Sequence, residues 1–321
     1  MYQLDPVNAA FAARIAGSPS PHEIGNCQQA FDNLEELQKH EPAEDIQTET
    51  IEVSGKYGPT TVVLVRSKSL VNKSLPIVFY LHGGGYMMGS AKSFAVLLED
   101  LARRTGAAIV FPEYTRVPYQ TFPYQFHQSY EVLEYIVQYA SQHQLLAETI
   151  ALAGDSAGGH LAIGLTYLSL LQKLPAKIGH LLLWAPTTTY DTKLPSHETF
   201  KNAPFLSQAS MKWMHDSFMP NEEDRKTPLA SPLTYIPDEL LAQFPPTVLF
   251  LSTVDPLVDE GVAFGNRLQK AGVDAAIIKA EGQLHSFCLI KDTRNGPTAR
   301  AVMDLAAAKL KTSLSSGHYD L

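Results

Sequence analysis

Short, wholly apolar runs alternate with longer amphipathic segments along most of the chain, and no other feature constrains the fold as strongly. The runs are Ile77–Leu81, Ala108–Phe111, Ile150–Ala153, Leu181–Trp184, Val248–Leu251 and Ala275–Ile278. A strand that is apolar on both faces is typical of a sheet covered by helices on both sides. Intervening segments such as Tyr124–His143 and Leu161–Lys173 have the length and spacing of amphipathic helices. The sequence therefore predicts an α/β fold with a doubly wound, mostly parallel sheet.

Two segments interrupt this alternation. The first 45 residues read as polar and helical, and a predicted hairpin of Ile46–Val53 and Thr61–Val65 follows them. Between Trp184 and Thr247 lie about 60 residues, far more than a single crossover requires. The excess, roughly residues 187–224, contains several large apolar side chains: Tyr190, Phe200, Phe205, Met211, Trp213, Met214 and Phe218. They either fill a helical subdomain core or line a lid over an apolar substrate.

The composition is that of an ordinary globular protein, with 45% hydrophobic and 18% charged residues among 321. We predict a single domain over residues 1–321. A net charge of −8 without a Lys/Arg block argues against nucleic acid as a partner. No apolar run reaches the ~18 residues of a membrane-spanning helix. The start of the chain lacks a secretory signal, and the two cysteines, Cys27 and Cys288, fit a reducing compartment. We therefore expect a cytoplasmic protein with no membrane partner.

The segment Gly154–Gly159, GDSAGG, lies between the apolar run Ile150–Ala153 and a predicted helix. A serine on such a strand-to-helix turn projects above the sheet, and the turn requires small neighbours. The N-terminus of the helix stabilises negative charge that develops nearby. Ser156 is therefore the predicted nucleophile, and Asp155 is expected to fix the turn. The alternative is a glycine-rich turn without chemistry.

A second glycine-rich segment, His82–Gly85, directly follows the run Ile77–Leu81. Three successive glycines allow main-chain N–H groups to point into a cavity, where they can stabilise an oxyanion. We expect the amides of Gly84, Gly85 and Ala157 to form this oxyanion hole, and His82 to anchor the loop. The alternative, a flexible or phosphate-binding loop, is disfavoured because the lysine of a P-loop is absent.

A nucleophilic serine needs a base, and in folds of this kind the acid and then the histidine follow the serine along the chain. His285 and His318 both follow the acid candidates, but His318 lies three residues from the C-terminus, where order is usually poor. His285 is the predicted base. Asp255 follows the run Val248–Leu251 and is the predicted acid. Asp259 stays open as the alternative, although it is well placed to be the N-cap of the next helix.

The remaining histidines and cysteines do not indicate a metal site. The sequence has eleven histidines but no H-E-x-x-H motif and no paired Cys/His spacing. We therefore predict no catalytic metal. Cys288, three residues after His285, is predicted to be buried packing.

The HGGG and GDSAGG motifs, the segment Asp255–Gly261 and the late His285 together resemble the hormone-sensitive-lipase group of α/β-hydrolases, which are bacterial and archaeal carboxylesterases. The resemblance extends from about Pro76 to Ala307. It implies an eight-stranded, mostly parallel sheet flanked by helices, with a helical cap formed by about residues 1–45 and 187–224. It also implies a triad of Ser156, Asp255 and His285. Members usually take short- or medium-chain acyl esters and need no cofactor, and many are homodimers.

The sequence departs from this family in two places. Tyr114–Tyr119 reads YTRVPY where members often have YRLAPE, and Ser286-Phe287 replaces the common Gly-Phe. Neither departure touches the predicted triad, but both bear on the alcohol-side pocket. The sequence thus predicts a serine carboxylesterase acting on a small-molecule ester. Two alternatives stay open: a catalytically silent small-molecule binding module, and an amidase using the same triad.

Overall fold

A single eight-stranded sheet forms the centre of the computed structural model, which describes residues 2–190 and 193–315. The strands are β1 (Ile46–Gly55), β2 (Gly58–Ser67), β3 (Leu75–Leu81), β4 (Ala108–Pro112), β5 (Leu145–Asp155), β6 (Lys177–Trp184), β7 (Thr247–Val254) and β8 (Ala275–Leu284). Their order is β1-β2-β4-β3-β5-β6-β7-β8. Only the pairs β1–β2 and β2–β4 are antiparallel among these strands. The predicted α/β fold with its mostly parallel eight-stranded sheet is confirmed.

Helices surround this sheet and also precede it. The α-helices are α1 (Pro6–Ile15), α2 (Pro21–Ile24), α3 (Cys27–Leu37), α4 (Ala95–Thr105), α5 (Tyr124–Gln138), α6 (Ser156–Gln172), α7 (Pro195–Thr199), α8 (Gln208–Phe218), α9 (Pro232–Tyr235), α10 (Asp238–Leu241), α11 (Val258–Lys270) and α12 (Pro297–Ser315). Short 3₁₀ helices cover Lys68–Leu70, Ala140–His143 and Glu222–Arg225. No helix in the described part of the chain is both long and apolar enough to cross a membrane.

The strands are apolar on both faces because each face packs against helices. In β3, Ile77 and Phe79 belong to a buried cluster that includes side chains of α5, α6 and α11. Val78 and Tyr80, which point the other way, belong to a cluster with α4 and α12. Successive residues of one strand thus enter two different cores, which explains the wholly apolar runs.

The local predictions agree with the structure except at some ends. The predicted hairpin is present, with Ile46 paired to Ser67 and Gly55 to Gly58. The helix predicted over Leu161–Lys173 begins earlier, at Ser156. The prediction placed the start too late because Gly158 and Gly159 are poor helix formers. Here packing against neighbouring backbone outweighs that propensity.

Candidate active site

The turn between β5 and α6 carries Ser156 in a sharply constrained conformation. Ser156 has a φ of 52°, in the left-handed region that non-glycine residues rarely adopt. A Cβ atom at Gly158 would overlap the backbone carbonyls of Leu81 and His82. Only glycine therefore lets the first turn of α6 pack directly on the end of β3. This close packing holds Ser156 at the carboxyl edge of the sheet, where ligands bind in folds of this kind.

The glycine loop after β3 is tied to this turn through Asp155. The Asp155 carboxylate is buried, and its Oδ1 accepts hydrogen bonds from the Tyr80 hydroxyl (2.8 Å) and the Gly83 amide (2.9 Å). Burial raises the pKa of Asp155 to about 6, while these two hydrogen bonds act in the opposite direction. Asp155 thus fixes the turn to the loop, as the sequence predicts.

The loop presents main-chain amides beside Ser156. Gly84 has a φ of 99°, and a Cβ atom there would overlap the Met88 carbonyl. Among the described residues, the amides of Gly84 and Gly85 have no acceptor. Ala157 lies in the first turn of α6, where helix amides have no intrahelical partner. These are the three amides that the sequence predicts for an oxyanion hole.

His82 packs as the predicted anchor of this loop. Its Nδ1 donates to the Gly83 carbonyl (2.8 Å), and its ring stacks on Tyr114 with centroids 4.2 Å apart. Burial lowers the pKa of His82 to about 3, so the ring is neutral at physiological pH.

His285 and Asp255 form a buried pair. The Nδ1 atom of His285 lies 2.6 Å from Oδ2 of Asp255, and Asp255 is fully buried. The other oxygen of Asp255 accepts from the Leu257 amide at 2.9 Å. Burial lowers the pKa of His285, but the charge and the hydrogen bond of Asp255 and the charges of Asp155 and Glu260 together outweigh burial, so the net shift is upward. This bond fixes the imidazole with Nδ1 as donor and leaves Nε2 as the acceptor.

Asp259 has no described hydrogen bond with His285, and it does not cap helix α11 as predicted. Its Oδ2 accepts from the Ser196 amide (2.8 Å), which belongs to α7. Helix α11 begins at Val258 and its N-cap is Leu257, so the prediction of Asp259 as N-cap is wrong. The reason is a tight turn before the helix, in which the Val258 amide donates to the Asp255 carbonyl (3.2 Å). This turn starts the helix early. His318, the other histidine considered, lies outside the described residues.

One cavity of about 960 Å³ joins these groups. Ser156, His285, Gly84 and Gly85 all line it. Its other walls come from parts of residues 12–24 and 30–38, from residues 203–206, and from Ser286, Leu289, Ile290, Met88, Phe94 and Met214.

The large apolar side chains of the 187–224 segment lie in two environments, the wall of the cavity and a buried core. Phe205 and Met214 line the cavity, whereas Trp213 is not among its lining residues. Trp213 instead packs against the main buried cluster. The segment therefore contributes both to a buried core and to a cavity wall, and its role as a lid stays a prediction.

Comparison with known proteins identifies the family. The family described as "alpha/beta hydrolase fold" matches residues 78–289. The chain belongs to this α/β-hydrolase family. The hydrolase is 65% identical to a protein named "Esterase" from Fusarium pseudograminearum, over 97% of this chain and 96% of that one.

Solved structures agree with this assignment. Carboxyl esterase 2 from Tuber melanosporum is 31% identical, with a TM-score of 0.88 over 97% of this chain and 100% of that chain. A thermostable esterase from Pseudomonas putida ECU1011 is 26% identical, with a TM-score of 0.92 over 97% and 98% of the two chains. The predicted membership of the hormone-sensitive-lipase type is confirmed.

Sequence reasoning missed the role of another buried carboxylate in this hydrolase. Glu260 is fully buried, and its oxygens accept from the Thr188 amide (2.7 Å) and lie 2.9 Å from His197 Nε2. Burial raises the pKa of Glu260, and the hydrogen bond with His197 opposes this. Glu260 thus holds α7 and the chain after β6 onto α11. The partners of Glu260 are far away in sequence, so no local sequence pattern indicates that it joins these elements.

Cys288 is buried at 1% exposure, as predicted, and burial raises the pKa of its thiol. Among the described residues, no group of three or more His, Cys, Asp or Glu side chains could hold a metal ion. That the protein works without a metal or cofactor stays a prediction.

Proposed function

We propose that this α/β hydrolase is a serine carboxylesterase that cleaves small-molecule esters with short to medium acyl chains through an acyl-enzyme. The observation that carries the proposal is one cavity lined by a serine in a strained turn and by a histidine paired with a buried carboxylate. The esterases among its relatives and structural neighbours support the same reaction class.

In the first half of the reaction, Ser156 Oγ attacks the ester carbonyl carbon. His285 Nε2 takes the hydroxyl proton, and Asp255 stabilises the resulting imidazolium through the bond at Nδ1. The carbonyl oxygen becomes an oxyanion, which the amides of Gly84, Gly85 and Ala157 bind. His285 then returns the proton to the departing alcohol, and the acyl group remains on Ser156.

In the second half, a water molecule replaces the alcohol. His285 takes a proton from the water, which attacks the acyl carbonyl while the same amides bind the oxyanion. When this intermediate collapses, the acid is released and the proton returns to Ser156. Each cycle therefore restores the enzyme without a cofactor.

We also propose that residues 1–45 and 187–224 form the cap over this site within a single domain of residues 1–321. Both segments contribute walls of the cavity, and α2 contacts α8 through a hydrogen-bond distance of 3.0 Å between His22 Nδ1 and Ser210 Oγ. A cavity of about 960 Å³ with mostly apolar walls has room for an acyl chain together with an apolar alcohol. The cytoplasmic location and a homodimer stay predictions.

The test is the hydrolysis of p-nitrophenyl esters from acetyl to palmitoyl by the wild type and Ser156→Ala. We expect the wild type to prefer short to medium chains, and Ser156→Ala to lose activity by several orders of magnitude because the nucleophile is gone. Ser315→Ala, an exposed serine near the end of α12, is the matched control and should retain activity.

Two results would contradict the proposal. Full activity in Ser156→Ala would exclude Ser156 as the nucleophile. A folded wild type that cleaves none of the esters would favour an alternative, and an anilide series would then separate an amidase from a binding module.

A further inference from the structure

A buried asparagine of the N-terminal segment contacts the strand that ends just before His285. Asn8 lies in α1 and is 0% exposed. Its Oδ1 accepts from the Leu284 amide (3.0 Å), and its Nδ2 donates to Gln283 Oε1 (2.8 Å). A single side chain thus satisfies polar groups of the two residues that precede His285.

Asp5 holds Asn8 in this orientation. The Asp5 carboxylate caps α1 by accepting from the Asn8 amide (2.7 Å) and also from Asn8 Nδ2 (2.8 Å). Its other oxygen accepts from Gln283 Nε2 (2.7 Å), and the Asp5 amide donates to the Gly282 carbonyl (3.0 Å). The start of α1 is therefore bonded directly to the end of β8.

The same stretch is held from its opposite side by β7. The Leu284 carbonyl accepts from Ser252 Oγ at 2.8 Å, and the pairing of β7 with β8 is irregular between Ser252 and Val254. Side chains thus bind both polar groups of Leu284, and its carbonyl also accepts from the Phe287 amide (3.2 Å). Ser286, after the histidine, has a φ of 62°, so the chain turns sharply there.

We infer that Asn8 is a positioning residue for catalysis, which acts by fixing the Gln283–Leu284 peptide, and with it the backbone that leads into His285, so that the imidazole meets both Asp255 and Ser156. This inference rests on the proposed function, in which His285 is the base. Without Asn8, the buried Leu284 amide loses its acceptor, and an unsatisfied buried group drives local rearrangement. A displacement of His285 by about 1 Å is enough to cost up to ~100-fold in rate.

The test compares kcat and KM for p-nitrophenyl acetate in Asn8→Ala and in Asn26→Ala. Asn26 caps α3 in the same N-terminal segment by accepting from the Gln29 amide (2.9 Å), and it does not line the cavity, so it is a matched control. We expect kcat per folded Asn8→Ala enzyme to fall ~10- to 100-fold, while its KM changes less than about twofold. Both kcat and KM of Asn26→Ala should stay near the wild-type values. The downfield proton resonance of the short His285–Asp255 bond should broaden or move only in Asn8→Ala.

Asn8→Leu covers the case in which Asn8→Ala fails to fold. It keeps the side-chain volume and adds no charge beside Asp5, but it removes both the acceptor for the Leu284 amide and the donor to Gln283, so its kcat should fall as in Asn8→Ala. Wild-type kcat in the folded variants, with only the melting temperature lowered, would overturn the inference, because Asn8 would then be structural alone. Ser156→Ala in the same assay separates the two claims: if it is inactive, such a result refutes only the role of Asn8, whereas an active Ser156→Ala refutes the proposed function.

Discussion

In the proposed mechanism, the buried pair of His285 and Asp255 determines how the activity depends on pH. His285 must be neutral to accept the Ser156 proton, so kcat/KM rises with pH through the pKa of His285. Burial lowers this pKa, and Asp255 together with the charges of Asp155 and Glu260 raises it more, so the midpoint lies above the ordinary histidine value. Asp255→Asn removes the charge and leaves burial, so we predict a midpoint at lower pH and a kcat reduced by about 10⁴-fold.

The pH–rate profile of Asp259→Asn is the control for this prediction. Asp259 bonds to the Ser196 amide and has no described contact with His285, so its replacement should leave the midpoint unchanged. If Asp259→Asn moved the midpoint and Asp255→Asn did not, the assignment of the acid would be wrong.

At the scale of residues, the sequence predicts groups whose role depends on their immediate neighbours. Ser156 is recognisable because the glycines that its turn requires lie within two residues of it. The contacts of Asn8 with Gln283 and Leu284 join distant parts of the chain, so only the structure reveals them. The prediction of Asp259 as the N-cap of α11 was wrong for a related reason. Asp259 suits an N-cap, but the turn before it already starts the helix at Val258.

At the scale of elements, the wall formed by the segment before α8 should set the preference for acyl chain length. Phe205 lines the cavity and packs on Phe11 of α1 with ring centroids 5.8 Å apart. Phe205→Ala removes a large side chain from this wall, so we predict a several-fold rise in the ratio of octanoate to acetate hydrolysis.

Trp213→Ala is the matched control, measured with the same ester pair. Trp213 is an aromatic residue of α8 that does not line the cavity, so its removal should leave the ratio unchanged. An equal loss on both esters in Phe205→Ala would show that the side chain supports the fold without contacting the acyl chain.

Element boundaries show where sequence patterns stop being informative. The strands were predictable because residues such as Val78 and Phe79 enter cores on opposite faces and leave wholly apolar runs. The start of α6 was not predictable from the sequence, because Gly158 is required there by its contact with the end of β3 and not by its helix propensity.

At the scale of the whole molecule, the first part of the chain and the last strand build one site. The N-terminal segment supplies cavity walls from parts of residues 12–24 and 30–38, and Gln38 Nε2 donates to the Leu289 carbonyl (2.9 Å) after the histidine. Together with Asn8 before His285, these bonds hold the histidine loop on both sides. The sequence predicts the N-terminal part of the cap from the resemblance alone, and the structure adds how this part is joined to the loop that carries His285.

The central claim is that Ser156 becomes covalently modified during the reaction. Its most direct test is reaction of the wild type with diethyl p-nitrophenyl phosphate, followed by intact-mass measurement and peptide mapping. A single diethylphosphoryl group on the peptide that contains Ser156, with loss of esterase activity in proportion, is the predicted result. An unlabelled Ser156 in an inhibited enzyme, or full activity after complete labelling of Ser156, would contradict the account.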